Sequence, residues 1–242
     1  MSHKQESAFD IIAFDADDTL WHNEIYYKQA EEKLAELLAD YHPAEFVVQE
    51  LFKTETRNTA AYGYGIKSFT LSMIETAIAL TEEKITTEEI CEIIGFGREM
   101  ISADVELIPN VRETIQALSA SHMLMIITKG DLLDQERKVV KSGLGDCFKH
   151  IEVVSEKTSD IYKALLSKYE IAPERFLMVG NSLKSDVLPI VAIGGAAVYI
   201  PNGTTWAHET VSDEEAQKNY YHELEDIGQL PELIKNLSNP KE

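Results

Sequence analysis

A chain of 242 residues is long enough for one large domain, or for a core domain with a smaller companion. Its hydrophobic fraction of 44% and charged fraction of 26% are those of an ordinary globular protein, and no apolar run reaches the length that crosses a bilayer. Lys and Arg number 22 against 42 Asp and Glu, a formal net charge of −20, so nucleic acid and anionic membrane surfaces are disfavoured as partners. The acid excess reads as solvated helix faces such as EEKLAELLAD and TEEKITTEEI. A phosphorylated substrate would meet a repulsive average field, so its site would need local cations from a metal or from selected Lys and Arg residues. The opening MSHKQESAFD has no apolar stretch behind a basic head, so no secretion signal is expected and a cytoplasmic location follows. Cys91 and Cys147 lack CxxC spacing and are expected to pack as small apolar side chains.

In chain order, Phe9–Phe14 (FDIIAF) predicts a buried strand with Asp15 at its end. Helical spacing of apolar residues follows from Glu24 to Leu38, and again at roughly 44–58, 68–80 and 87–101. The run Tyr62-Gly63-Tyr64-Gly65 reads as a turn or loop between two of these helices. Residues 21–104 therefore contain helices and no convincing strand. Pro109 opens a predicted helix through Leu118, and His122–Thr128 reads as a strand. Asp131–Ser142 is a predicted helix, with Gly143 as its C-terminal stop. Ile151–Val154 (strand), Ser159–Tyr169 (helix), Phe176–Val179 (strand), a helix from about Lys184 and a strand at Ala196–Ile200 complete the alternation. This rhythm predicts an α/β fold: a doubly wound, Rossmann-like parallel sheet with helices on both faces. Residues 1–20 and 105–242 would form that core, and 21–104 an inserted helical cap. Beyond Pro201 only Leu230–Leu237 shows a clear helical pattern.

Ligands of a doubly wound sheet gather at the carboxyl ends of its parallel strands. Polar groups fall at four such ends: Asp15 and Asp17, Thr128, Lys157, and Asn181 through Asp186. In Asp15-Ala16-Asp17-Asp18-Thr19, one carboxylate can attack phosphorus while the other gives a proton to the leaving oxygen. Taken alone, the run is equally an acidic turn in which Asp18 or Thr19 caps a helix. Thr128-Lys129-Gly130 offers a hydroxyl and backbone N–H groups suited to phosphoryl oxygens, or simply a glycine turn. Lys157 could neutralise charge on a transferring phosphoryl group, with Lys163 as a rival, although a lone loop lysine is usually a solvated charge. Gly180-Asn181-Ser182-Leu183-Lys184-Ser185-Asp186 carries oxygen ligands for a hard cation such as Mg²⁺, or an ordinary helix cap.

FDADDTLW, ITKG, Lys157 and VGNSLKSD, in that order, resemble the four motifs of the haloacid dehalogenase superfamily. The long interval between Asp15 and Thr128 is similar to that of members with a helical cap between the first and second motifs. The resemblance implies that Asp15 is a nucleophile forming an aspartyl-phosphate and Asp17 the general acid, later the base. It implies that Thr128 and Lys157, with Lys129 beside them, bind the phosphoryl group. Mg²⁺ would be held by Asp15, the Asp17 backbone carbonyl, Asn181 and Asp186. Dehalogenases of the family lack the second aspartate, because a halide leaves without a proton, so Asp17 implies the phosphatase branch. Two positions depart from the family pattern: Asn181 stands where an aspartate is usual, and Thr158 follows Lys157 where a proline is common. The implied activity is Mg²⁺-dependent hydrolysis of a small phosphorylated metabolite. The cap would cover the crevice and exclude water, with Arg57, Tyr62, Tyr64 and Lys67 as candidate contacts, or as plain surface and packing residues. A receiver-like phospho-aspartate switch and a catalytically weak binding protein are the alternatives; the sequence assigns no oligomeric state.

Overall fold

The computed structural model describes residues 8–203, 211, 216 and 219–238. The chain divides into two compact units: one takes the segments up to His22, Val105–Thr128 and from Lys138 onward, the other Asn23–Asp104 and Lys129–Arg137. Trp21 and His22 thus belong with the sheet, and the turn after Thr128 with the helices.

The first unit is built on a six-stranded sheet. Its strands are β1 (Ile11–Phe14), β2 (Met123–Lys129), β3 (His150–Val154), β4 (Phe176–Gly180), β5 (Ala196–Tyr199) and β6 (His222–Glu223), ordered β3-β2-β1-β4-β5-β6. β1 runs parallel to both β2 and β4, β4 to β5, and β5 to β6. From β1 the chain builds outward on one side through β2 and β3, then returns to build the other side from β4. β1 therefore lies at the reversal of strand order, where such sheets bind ligands.

Side chains alternate along each strand, and here both faces are covered. Ile12, Phe14, Leu124, Ile126, Leu177 and Val179 pack on one face with residues of α5 (Val111–Ser119), α6 (Leu132–Ser142) and a C-terminal helix. Ile11, Ala13, Met125, Ile127, Phe176 and Met178 pack on the other, with α7 (Ser159–Lys168) and α8 (Leu188–Val191). Burial on both faces is why the strands read as near-continuous apolar runs. The C-terminal helix, α9, spans Leu230–Ser238 and buries Leu230 and Ile234.

The second unit holds α1 (Glu24–Leu37), α2 (Ala44–Tyr62), α3 (Ile66–Leu80) and α4 (Thr87–Ser102). Leu34, Leu51, Phe69, Met73 and Ile93 form its buried core. A capping box between Thr86 and Glu89 opens α4. α2 runs four residues past its expected end, until Gly63 at φ 71° stops it. Two further differences from the sequence reading have local causes. α5 starts at Val111 rather than at Pro109, because Asn110 turns left-handed (φ 64°) and donates its amide to the Asp226 carboxylate. The helix expected from Lys184 is one π-helical turn over Leu183–Val187 before short α8, in which Pro189 lacks an N–H to donate. Cys91 is exposed rather than packed, and Cys147 lies partly buried against the sheet core. Among the described residues, no helix is long and apolar enough to cross a membrane.

Candidate active site

Asp15 leaves the end of β1 with its N–H bonded to the Val179 carbonyl of β4 (2.9 Å). The turn after it is tightly tied. Asp18 adopts φ 60° and bonds its N–H to the Trp21 carbonyl (2.7 Å), while the Asp18 carbonyl accepts from the Asn202 amide (3.0 Å). Aspartate tolerates the left-handed conformation better than most residues. Thr19, buried inside this turn, donates to Asp15 Oδ2 (3.0 Å) and also lies within bonding distance of Asn181 Oδ1 (3.2 Å). The threonine hydroxyl is thus a bridge between the first and fourth motifs, a role its position in the sequence gave no sign of.

Lys157 reaches this group from the loop after β3. Its Nζ lies 2.5 Å from Asp15 Oδ1 and 2.7 Å from Asp186 Oδ1, and all three residues are buried. Burial alone would push the ammonium's pKa down, but Asp15 and Asp186 outweigh it and hold Lys157 above the ordinary lysine range. The rival Lys163 is exposed and pairs with Asp160 (3.4 Å). Thr158, in place of the common proline, caps α7 by accepting from the Ile161 N–H (3.4 Å), so the departure from the family pattern keeps the helix start fixed.

Asp186 is set by the π-helical turn. Its Oδ2 accepts from the Ser182 N–H (3.0 Å), Ser182 Oγ accepts from the Ser185 N–H (3.0 Å), and the buried Tyr162 hydroxyl donates to the Ser185 carbonyl (3.0 Å). A Cβ on Gly180 would stand 2.2 Å from Asp186 Oδ2, so glycine is required for the carboxylate to fold back over the strand end. Burial pushes the Asp186 carboxyl well above the usual carboxylate range; Lys157 opposes that shift and Asp15 adds to it.

Asp17 faces a different pair of donors. Trp21 Nε1 donates to its Oδ1 (2.7 Å), and Lys138 Nζ on α6 lies 3.0 and 3.1 Å from its two oxygens. Thr128 is buried near the end of β2. Lys129, by contrast, groups with the helical unit, where its ammonium lies 4.6 Å from the Tyr64 ring centroid and its carbonyl accepts from the Gln135 amide (2.8 Å). Of the cap candidates, Arg57 pairs with Glu75 (3.3 Å), Lys67 with Asp131 (2.8 Å), and Tyr62 is exposed.

The donor set fits a hard cation. Asp15, Asp186 and the Asn181 amide supply oxygens at neighbouring strand ends, and Thr19 and Lys157 tie those oxygens together. Among the described residues, no group of three or more His, Cys, Asp or Glu side chains could hold a metal. Two carboxylates with a neutral amide nevertheless match Mg²⁺, which commonly takes one or two carboxylates and keeps several waters.

This arrangement belongs to a known family. The family model of the haloacid dehalogenase-like hydrolases matches residues 9–194, and the chain belongs to that family. A haloacid dehalogenase-like hydrolase from Xanthomonas campestris is 40% identical, with a TM-score of 0.85 over 98% of this chain and 95% of that one. A magnesium-bound HAD-hydrolase from Bacillus subtilis shares the fold at 17% identity and a TM-score of 0.65, covering 93% of this chain and 98% of its own. A glyceraldehyde 3-phosphate phosphatase of Pyrococcus furiosus is 30% identical over 102 residues, 40% of this chain and 42% of that protein. The phosphatase of the same name from Methanothermobacter thermautotrophicus is 28% identical over 134 residues, 52% of this chain and 58% of that protein. The chain thus spans about half the length of these curated relatives.

Proposed function

We propose that the protein is a Mg²⁺-dependent phosphatase of small phosphorylated metabolites that works through an aspartyl-phosphate on Asp15. The observation that carries this reading is the buried Lys157 ammonium held between Asp15 and Asp186. A fixed cation beside a carboxylate at the strand-order reversal is the electrostatic requirement of phosphoryl transfer in a chain of net charge −20. A carboxylate oxygen of Asp15 attacks phosphorus, and the bond to the leaving alkoxide breaks as Asp17 gives that oxygen a proton. Water then attacks the phosphorus with Asp17 taking its proton, the bond to Asp15 breaks, and inorganic phosphate leaves. Thr128 and the N–H groups following it hold phosphoryl oxygens while Lys157 offsets their charge. When bound through Asp15, the Asp17 carbonyl, Asn181 and Asp186, Mg²⁺ would polarise the phosphoryl group and screen it from the attacking carboxylate.

Asp17 favours a phosphate ester over a haloacid, since an alkoxide needs a proton and a halide does not. The names of the partial relatives put glyceraldehyde 3-phosphate first among substrates to try. The test is a screen of phosphorylated metabolites with Mg²⁺, comparing wild type with Asp15→Asn. Steady phosphate release lost in the variant supports the reading. A single stoichiometric phosphorylation without turnover would make the protein a switch and overturn it.

A further inference from the structure

We propose that Lys138 is a positioning residue that holds the Asp17 carboxylate in its proton-transfer orientation. This rests on the reading of Asp17 as the leaving-group acid. A lysine on an amphipathic helix of an acidic protein ordinarily points into solvent, yet the Lys138 side chain is only 14% exposed and its Nζ spans both oxygens of Asp17. The helix is anchored at that point: the next residue, Val139, is buried in the sheet core, and Ser142 Oγ donates to the Val139 carbonyl (2.7 Å).

Asp17 is thereby gripped from two directions. Trp21, itself buried, sends its indole N–H to Oδ1 from the same turn, and Asp17 and Trp21 also form a backbone bridge. Lys138 arrives from a segment far along the sequence. The backbone ties around Asp18 fix where the Asp17 Cα sits, but the carboxylate could still rotate about two side-chain bonds. An indole N–H on one oxygen leaves rotation about that contact open; an ammonium within reach of both oxygens restricts it. A proton donor acts only within hydrogen-bond reach of the atom it serves, and small misplacements are costly. Both contacts of the ammonium described above fall on the Asp17 carboxylate, so its effect is assigned through Asp17.

The experiment compares 4-nitrophenyl phosphate, whose phenolate leaves without help, with glyceraldehyde 3-phosphate, whose alkoxide needs a proton. Wild type, Lys138→Met, Lys138→Arg, Asp17→Asn and the Asp17→Asn/Lys138→Met double variant are assayed with saturating Mg²⁺, and folding is checked by thermal melting. We expect Lys138→Met to lower kcat/KM for the alkyl phosphate by ~100-fold and that for the aryl phosphate by less than ~3-fold. Lys138→Arg, which can still bond both oxygens, should recover most of the loss. In the Asp17→Asn background, Lys138→Met should cost nothing further, as for two residues acting as one unit. Equal losses on both substrates in Lys138→Met, or an additional loss in the double variant, would overturn the assignment while leaving Asp17 as the acid. Equal losses in Asp17→Asn itself would overturn the acid role and this inference with it.

Discussion

Removing the ammonium at position 157 tests the electrostatic heart of the site. In Lys157→Met a chain of similar length replaces the cation, leaving the buried Asp15 and Asp186 carboxylates facing each other with no positive charge between them. Breaking a buried ion pair from one side costs about 3–5 kcal/mol. For a chain of this size that corresponds to a fall in Tm of roughly 6–20 °C. The cost should depend on pH. Asp186 already sits above the usual carboxylate range through burial, and losing Lys157 raises it further. A folded-state pKa above the unfolded one means the native protein holds a proton the unfolded chain lacks. The associated stability is complete below the unfolded carboxylate pKa and is lost as pH rises through the folded value. The variant should therefore melt closer to wild type at pH 5.5 than at pH 8, both measured in EDTA. Turnover with saturating Mg²⁺ should fall by about 10²–10³-fold, the usual loss of a donor aimed at developing charge. A Lys157→Met protein that melts with wild type at both pH values and keeps its turnover would refute this account of the site.

Asp15→Asn keeps the shape of the proposed nucleophile and removes its charge; steady-state assay should show a loss of at least ~1000-fold, about 4 kcal/mol of barrier, and a folded variant with most of its activity would exclude the covalent route. Asp186→Asn should shift the Mg²⁺ activation curve to higher concentration, while Asn181→Asp should lower the requirement or leave it unchanged; an Asp186→Asn curve overlaying wild type would move the metal to other residues. In the helical unit, burial and then the neighbouring Glu31 raise Glu55 from 4.5 to about 7. By the same sign rule, stability falls by up to about 3 kcal/mol as pH climbs through that window. Glu55→Gln should flatten this slope and raise the urea midpoint at pH 8, and unchanged pH dependence would count against it.

The parts of the fold legible in the sequence were those written in side-chain pattern. The IIAF run and its apolar counterparts near 123, 176 and 196 reflect strands buried on both faces, and each candidate residue beside a strand end lay where the chain changes from apolar to polar. The contacts that set those residues in place left no such trace. Lys138 lies in the middle of α6, eight residues past the ITKG motif, and the sequence offers nothing to separate it from Lys141 on the same helix. Thr19 reads as a helix cap, and only the fold brings Asn181 to its hydroxyl. The two-residue β6 is too short to show alternation, and its pairing to Val198 and Tyr199 is decided by the sheet edge. The π-helical turn follows from Asp186 folding back onto Ser182 and from Pro189, which an apolar count reads as ordinary helix.

Gly180 has a consequence for how such proteins vary. With a Cβ barred at 2.2 Å from Asp186 Oδ2, positions 180 and 186 are not independent sites: an alanine at 180 is compatible with the fold only if the residue at 186 shortens or turns away. Mutational drift at either position has to pass through a variant without the carboxylate at the strand end, whereas position 158 can exchange threonine for proline without touching it. A library randomised at 158, 180, 181 and 186 and selected for turnover should return the Gly–Asp pair at 180 and 186 together, while 158 and 181 return more than one residue each.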